Sequence, residues 1–403
     1  MTSYRHGVRA LALSLALCAA GALSVAEHSL ASEAAVDPVG GSIGGRQLGA
    51  AGVIVNLHPG VPAPPAMPGA SFVLADMDTG QILVAKAPHA PHLPASTIKA
   101  LTALTLIPVL NPNAKILVKD QDVNVDGTRL GILPGTSYSV ATLLRGMLMA
   151  SGNDAAYALA RADHDIATTL MAMNATAKDL GALDTVAKDP SGLDRTGQRT
   201  SAYDLALIGR AAMRLPDFRR YVRTKSATLP GGRSADGTMK PGFTISNHNL
   251  LLYNYPGTIG IKNGYTIAAG HTYIEAATRG GKTYLVSEMA ANEASWRPTA
   301  ALLDWAFAHG SAVTPIGRLV EPGEAAASKA TVDQVAKTAA VAVPAGPSTT
   351  RQIRSAGQPE LQAWIGAAVA IGAVSLTGAW ARRRKGRQVP LAGSAPAETG
   401  DQT

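Results

Sequence analysis

Three short motifs, occurring in one order, contain the residues that could do chemistry: Ser96-Thr97-Ile98-Lys99, Ser151-Gly152-Asn153 and Lys262-Asn263-Gly264. A serine hydroxyl is a poor nucleophile at neutral pH and needs a base within hydrogen-bond reach. Together the motifs describe a serine acyl-transfer site in which lysine, not histidine, takes the proton. Lysine does so more readily when it is desolvated or lies near another cation. If Ser96 opens a helix, Lys99 sits one turn later on the same face, because residues three apart are neighbours there. Alone, Ser-x-x-Lys reads as a capping serine and a solvated lysine; the other two motifs change that reading.

The flanking residues say which elements must hold these groups. Pro94 and Ala95 precede Ser96, and Ile98, Leu101, Leu104, Leu106 and Ile107 follow until Pro108, the pattern of a mostly buried helix whose start offers free N–H groups. Ser151-Gly152-Asn153 falls between an apolar run at 143–150 and a helical stretch at 155–161, so a tight turn is expected to present its hydroxyl and amide. Lys262-Asn263-Gly264 ends the run 257–261 and is followed by strand-like segments at 273–278 and 283–289, joined at Arg279-Gly280-Gly281-Lys282, a hairpin signal. A lysine on an inner strand beside an open glycine suits an anionic substrate.

At this point the chain resembles the low-molecular-mass penicillin-binding proteins, the serine-type D-alanyl-D-alanine carboxypeptidases of the DD-peptidase and β-lactamase superfamily. The resemblance covers roughly residues 71–310. It also takes in Leu74-Ala75-Asp76-Met77-Asp78-Thr79-Gly80, Pro190-Ser191-Gly192-Leu193-Asp194, Thr200-Ser201-Ala202-Tyr203-Asp204, Ser246-Asn247-His248-Asn249-Leu250-Leu251, Ala269-Gly270-His271-Thr272 and Leu302-Leu303-Asp304-Trp305. It implies that Ser96 is the nucleophile, acylated by the penultimate D-alanine of a peptidoglycan stem pentapeptide, with Lys99 its general base. Ser151 is then the proton relay to the leaving amine and Asn153 the holder of the substrate amide. Lys262, Asn263 and Gly264 would face the terminal carboxylate, and the N–H groups of Ser96 and Tyr265 would form the oxyanion hole. β-Lactams are the implied inhibitors, and cell-wall biogenesis and cell shape the implied process.

Two departures stand out. The middle residue of the third motif is usually Thr or Ser in this family, and here Asn263 replaces the hydroxyl with a longer amide donor. The family's carboxylate-binding arginine has no clean counterpart; Arg297 is a candidate, two positions off the expected distance. Two other functions compete with the carboxypeptidase. A β-lactamase needs a base for the deacylating water, but no Glu-x-x-Leu-Asn follows Asn153 and the second motif carries Gly152 where that class has aspartate. A non-catalytic peptidoglycan-binding relative is opposed by the intact Ser96, Lys99, Ser151 and Lys262.

Composition bounds the compartment. Arg5 and Arg9 precede an apolar stretch ending in small residues, which reads as a signal peptide over 1–26. The one cysteine, Cys18, lies inside it, so disulfides and thiol chemistry are excluded from the mature chain. A Gly/Pro-rich leader is expected over 27–68, the catalytic domain over 69–318 and an Ala/Pro/Ser/Thr-rich tether over 319–360. Residues 364–381 carry no charge and precede Arg382, Arg383, Arg384, Lys385 and Arg387, the pattern of a transmembrane helix with a cytoplasmic basic tail over 382–403. The enzyme is therefore expected at the cell membrane, on its wall side, held by a single C-terminal span. Of the net charge of +8, residues 71–318 carry a modest +5, and no nucleic-acid module is visible. No cofactor or metal is expected, since the nine histidines show no ligand spacing. Gly40-Gly41-Ser42-Ile43-Gly44 matches a nucleophile elbow but lacks the strand and helix that pattern requires.

The expected architecture is an α/β (α+β) catalytic domain of the DD-peptidase/β-lactamase-like kind. The resemblance implies an antiparallel sheet of about five strands covered by helices, with a mainly helical lobe inserted from about 97 to 225.

Overall fold

The computed structural model describes residues 42–234 and 237–325. A single antiparallel sheet organises them, built from β1 (Val53–Leu57), β2 (Ser71–Asp76), β3 (Gln81–Lys86), β4 (Thr258–Thr266), β5 (Gly270–Arg279), β6 (Lys282–Ala291), β7 (Val313–Thr314) and β8 (Gly317–Arg318). The order is β4-β5-β6-β2-β3-β1-β7, with β8 also on β3. The β5–β6 turn forms where Gly280-Gly281 led us to expect it: Arg279 pairs with Lys282, and both glycines adopt the positive φ (57° and 78°) that a two-residue hairpin turn demands.

Between β3 and β4 the chain forms the helical lobe: α1 (Lys99–Leu106), α2 (Val140–Met149), α3 (Asn153–Ala162), α4 (Ile166–Asp179), α5 (Ala202–Ala212) and α6 (Pro216–Arg223). Several starts are capped as their sequences require. Ser139 accepts from Thr142 N–H, Asp165 from Thr168 N–H and Ser201 from Asp204 N–H, and Pro216 occupies the first turn of α6. The last helix, α7 (Arg297–His309), returns to the other side of the sheet.

Strand alternation divides the core in two. On β2, Val73 and Ala75 join Ile82, Ile274, Leu285 and the lobe residues Ile98, Leu101, Leu205 and Ile208. Phe72 and Leu74 join Val84, Val286, Leu302, Leu303 and Trp305 under α7. A strand buried on both faces reads as the continuous apolar run seen at 72–75. The sheet is thus covered on both sides, and only its β4 end is left beside the helical lobe's loops.

The observed sheet is larger than the five strands expected, because β1, β7 and β8 come from segments whose composition signalled no strand. The inner ends of the leader and tether belong to the fold. Leu48 and Met67 are buried, and Trp305 Nε1 donates to the Pro62 carbonyl (2.9 Å). Leu319 and Val320 are buried, and Glu321 binds Arg210 (2.6 Å) and Arg214 (2.9 Å). Among the described residues no helix is long and apolar enough to cross a membrane. The signal peptide, the span at 364–381 and the basic tail lie outside the described residues, as do Gly40 and Gly41 of the elbow-like motif. Ser42, which is described, is followed by a turn and a short 3-10 helix.

Candidate active site

Ser96 lies in a 3-10 turn, Ala95–Ile98, that runs directly into α1. Its Oγ accepts from Lys99 Nζ at 2.7 Å, the one-turn contact expected from their spacing. Lys99 is fully buried. Its Nζ also donates to Asn153 Oδ1 (2.7 Å) and to the Ser191 carbonyl. Asn153 starts α3, and its own Nδ2 donates to the Asp126 carbonyl (2.7 Å), which fixes which end of the amide faces the lysine.

The strand β4 brings the third motif alongside. A Cβ placed on Gly264 would lie 2.6 Å from Ser96 N and 2.6 Å from Thr272 Oγ1, so only glycine lets this strand run so close to the start of the nucleophile's helix. Thr272 on β5 clamps the same turn by donating to the Pro94 carbonyl (2.9 Å). Lys262 is buried on the Gly264 side of β4, and its Nζ donates to the Asn263 carbonyl (2.6 Å). Alternation puts the half-buried Asn263 side chain on the opposite face, in register with Tyr273. Tyr265 is 56% exposed, and its ring lies against His271 (centroids 4.4 Å apart).

The electrostatics favour a neutral base. Burial holds Lys99 well below the usual lysine range, the Lys262 cation pushes the same way, and Asp189 and Asp154 oppose them. Burial alone lowers Lys262 to about 7. Lys262 also helps to keep His248 below its ordinary value, which is otherwise lowered by burial.

Two residues that flank the chemistry are strained: Ala95 (φ 47°) and Ser151 (φ 61°) occupy the left-handed region, at a typical cost of about 1–3 kcal/mol each. Ser151 is almost fully buried, in the turn between α2 and α3, two residues from the Asn153 that binds Lys99. That turn leaves no space at Gly152, where a Cβ would lie 2.4 Å from Leu130 Cγ, so an aspartate there would collide with the core.

The structure therefore joins Ser96, Lys99 and Asn153 by hydrogen bonds and brings Lys262 and Gly264 beside them. It sets Arg297 apart: this exposed residue begins α7 and stacks on Trp296 (5.1 Å), which packs against the core on the other face of the sheet. Sequence reasoning assigned no role to Ser191, whose carbonyl holds Lys99, nor to Asp189 and Asp154. Asp154 accepts from the N–H groups of Leu130 (2.9 Å) and Gly131 (2.8 Å) and so shapes the loop that carries Asp126. An acid lies next to each lysine-binding residue in the chain, Asp154 after Asn153 and Asp189 two before Ser191, but its burial is visible only in the fold.

Known proteins resemble the chain over the region that carries this site. The sequence model of the family described as D-alanyl-D-alanine carboxypeptidase matches residues 60–292. The D-alanyl-D-alanine carboxypeptidase DacB2 of Mycobacterium tuberculosis is 35% identical over 255 residues, 62% of this chain and 85% of that protein. DacF of Bacillus subtilis is 29% identical over 245 residues, 59% of this chain and 61% of its own length. Among solved structures, a D-alanyl-D-alanine carboxypeptidase from M. tuberculosis superposes with TM-score 0.61 at 37% identity, covering 66% of this chain and 100% of that one. A Streptomyces DD-transpeptidase superposes with TM-score 0.58 at 28% identity, covering 61% and 100%.

Proposed function

The chain belongs to the D-alanyl-D-alanine carboxypeptidase family, and on that premise we propose that it removes the terminal D-alanine from peptidoglycan stem pentapeptides through an acyl-enzyme on Ser96. The observation that carries the proposal is the buried Lys99 amine, depressed in basicity and 2.7 Å from Ser96 Oγ.

Neutral Lys99 takes the Ser96 proton as Oγ attacks the carbonyl carbon of the penultimate D-alanine. The negative charge that develops on the carbonyl oxygen is met by the N–H groups of Ser96 and Tyr265. Ser151 passes a proton to the departing amine of the terminal D-alanine, and Asn153 holds the peptide amide. Lys262 attracts the terminal carboxylate, which in turn favours its protonated form. Asn263 reaches that carboxylate only over the open edge of β4, the edge along which an extended peptide can lie. Water then releases the acyl group. A β-lactam enters the same sequence and stays as a long-lived adduct.

The same proposal holds the catalytic domain on the wall side of the cytoplasmic membrane by residues 364–381. Its support is the uncharged run and the arginines after it. A reporter fused after Thr403 is then active only in the cytoplasm, and an external C-terminus would contradict this topology. For the chemistry, intact-mass spectrometry after β-lactam treatment should show an adduct confined to Ser96, together with D-alanine release from a pentapeptide. Undiminished release by Ser96→Ala would overturn the assignment.

A further inference from the structure

Lys99 Nζ has three partners, and they differ in kind. Asn153 Oδ1 and the Ser191 carbonyl can only accept, while the Ser96 hydroxyl can donate. A neutral amine has two N–H groups and one lone pair. With both N–H groups drawn to the two acceptors, the lone pair is left pointing at the Ser96 proton. The direction of the base thus depends on how firmly those acceptors are held.

Asn153 is held by the Asp126 carbonyl. The Ser191 carbonyl is held by a different device. Asp189 is buried (1% exposed), and its Oδ1 accepts from Ser191 N (2.8 Å), Ser191 Oγ (2.6 Å), Gly192 N (3.0 Å) and Leu193 N (3.3 Å). Its Oδ2 accepts from Tyr157 Oη (2.6 Å) on α3, and the half-exposed Arg195 approaches that oxygen at 3.5 Å. Gln198 anchors the carboxylate's own backbone by accepting from Asp189 N (2.9 Å) and donating to the Leu193 carbonyl (2.8 Å). Four donors on one oxygen pull the 191–193 backbone into a tight turn around the carboxylate. Thr102 of α1 ties the same loop to the nucleophile's helix by donating to the Pro190 carbonyl (2.7 Å).

We propose that Asp189 is a positioning residue for the reaction: by folding the 191–193 turn it aims the Ser191 carbonyl at Lys99, and so directs the lysine lone pair at Ser96. The proposal rests on Lys99 being the base. Asp189 also acts through its charge. The charges that bear on Lys99 are Lys262 from β4, Asp154 from α3 and Asp189 from this loop. Arg195 stands behind Asp189 and partly offsets it.

This gives an effect that a scaffold residue would not produce. Asp189 favours protonated Lys99, so removing its charge makes the amine a weaker base. The experiment is the pH dependence of the second-order rate of acylation by a penicillin, followed by intact mass, for the parent, Asp189→Asn, Arg195→Ala and Ser96→Ala. Asp189→Asn should lower the plateau by at least about tenfold, because a misdirected base is costly in a near-attack geometry. It should also move the acidic limb to lower pH. Arg195→Ala should keep the plateau within about threefold and the limb close to the parent's, as expected of a half-exposed cation. A limb that stays fixed, or an unchanged plateau, in Asp189→Asn would overturn the proposal. If Asp189→Asn does not fold, Asp189→Glu decides it: it keeps the charge but moves the oxygen that gathers the turn, and an unchanged plateau there would overturn the proposal. An adduct persisting in Ser96→Ala would instead bring down the nucleophile assignment on which the proposal stands.

Discussion

On the face turned to the helical lobe the sheet and its neighbours bury amines; on the face turned to α7 the sheet buries carboxyls. Lys99 and Lys262 are driven toward neutrality by loss of water, and so are Glu275 on β5 (raised to about 8) and Glu288 on β6 (raised to about 7). The shifts are of similar kind, but the surroundings differ. Two of the three hydrogen-bond partners of Lys99 are held by other residues, and the third is the nucleophile. Glu288 accepts from Gly69 N (2.7 Å), while Glu275 Oε2 and the neighbouring Thr299 Oγ1 have no hydrogen-bond partner among the described residues. A perturbed buried group becomes catalytic through what is aimed at it. By the shift alone, the back face would have been an equal candidate.

The largest expected effect breaks the front face. Ser96→Ala should abolish the β-lactam adduct, and Lys99→Met should slow acylation by about 10²–10⁴-fold, the usual worth of a positioned base. Ser96→Ala should unfold as cooperatively as the parent, whereas Lys99→Met takes the donor from Asn153 Oδ1 and the Ser191 carbonyl and should fold with lower stability. Loss of the adduct accompanied by loss of folding in Lys99→Met would remove this support for its catalytic role.

Next in size is a split between the faces with pH. Glu275 and Glu288 on the α7 side keep protons in the folded state that the unfolded chain releases, and Asp204 on α5 of the lobe, raised to about 7, adds to them from the other side. Their stabilisation is therefore complete below the ordinary carboxylate range and is lost as pH rises through about 7 to 8. Lys262 has the opposite sign. Its contribution is complete above the ordinary lysine value of 10.5 and is lost as pH falls through about 7. Stability should accordingly pass through a minimum near neutral pH. Glu275→Gln should flatten the acidic side, raise stability at pH 9 by about 1–3 kcal/mol, the cost of an unsatisfied buried group, and leave D-alanine release unchanged. Urea unfolding from pH 5 to 10 checks this, and an undiminished slope in Glu275→Gln would show that the carboxyl ionises freely.

The smallest effect concerns Asn263. Because its side chain alternates away from Lys262 and reaches substrate only over the edge of β4, Asn263→Thr should keep kcat/KM on a pentapeptide within about tenfold, less than the ~1.5–3 kcal/mol of a lost hydrogen bond to a charged group. Asn263→Asp should do worse by placing a like charge near the carboxylate. Equal activity of the two variants would sharpen the comparison by removing Asn263 from the front face altogether.

Much of the front face was legible because its chemistry is local. Ser96 and Lys99 sit one helical turn apart, Pro108 ends the helix pattern, and Gly280-Gly281 announces the β5–β6 hairpin. Gly264 stood out as sterically open, although only the fold shows that it is needed to let β4 pass Ser96 N at close range. What escaped was the long-range architecture. β1 lies in a Gly/Pro-rich stretch whose composition resembles a linker, and it becomes a strand only because β3 and β7 are there to pair with it. Ser191 was part of a recognisable motif, but Asp189 stands just before it, and a carboxylate that folds a turn around itself leaves no periodic trace. Glu275 read as one polar residue in a strand. Its burial depends on α7, twenty-two positions later in the chain at Arg297, closing over it.

The central claim is that Lys99, its basicity depressed by burial, takes the Ser96 proton as a neutral amine. Its most direct test is the rate of Ser96 acylation by a β-lactam measured from pH 5 to 10.5. A lysine held well below its usual value gives a rate that levels off well before pH 10, with a single acidic limb beneath the plateau that is absent in Lys99→Met. A rate that keeps climbing tenfold per pH unit through pH 9 and 10 would show a lysine of ordinary basicity and would contradict the account.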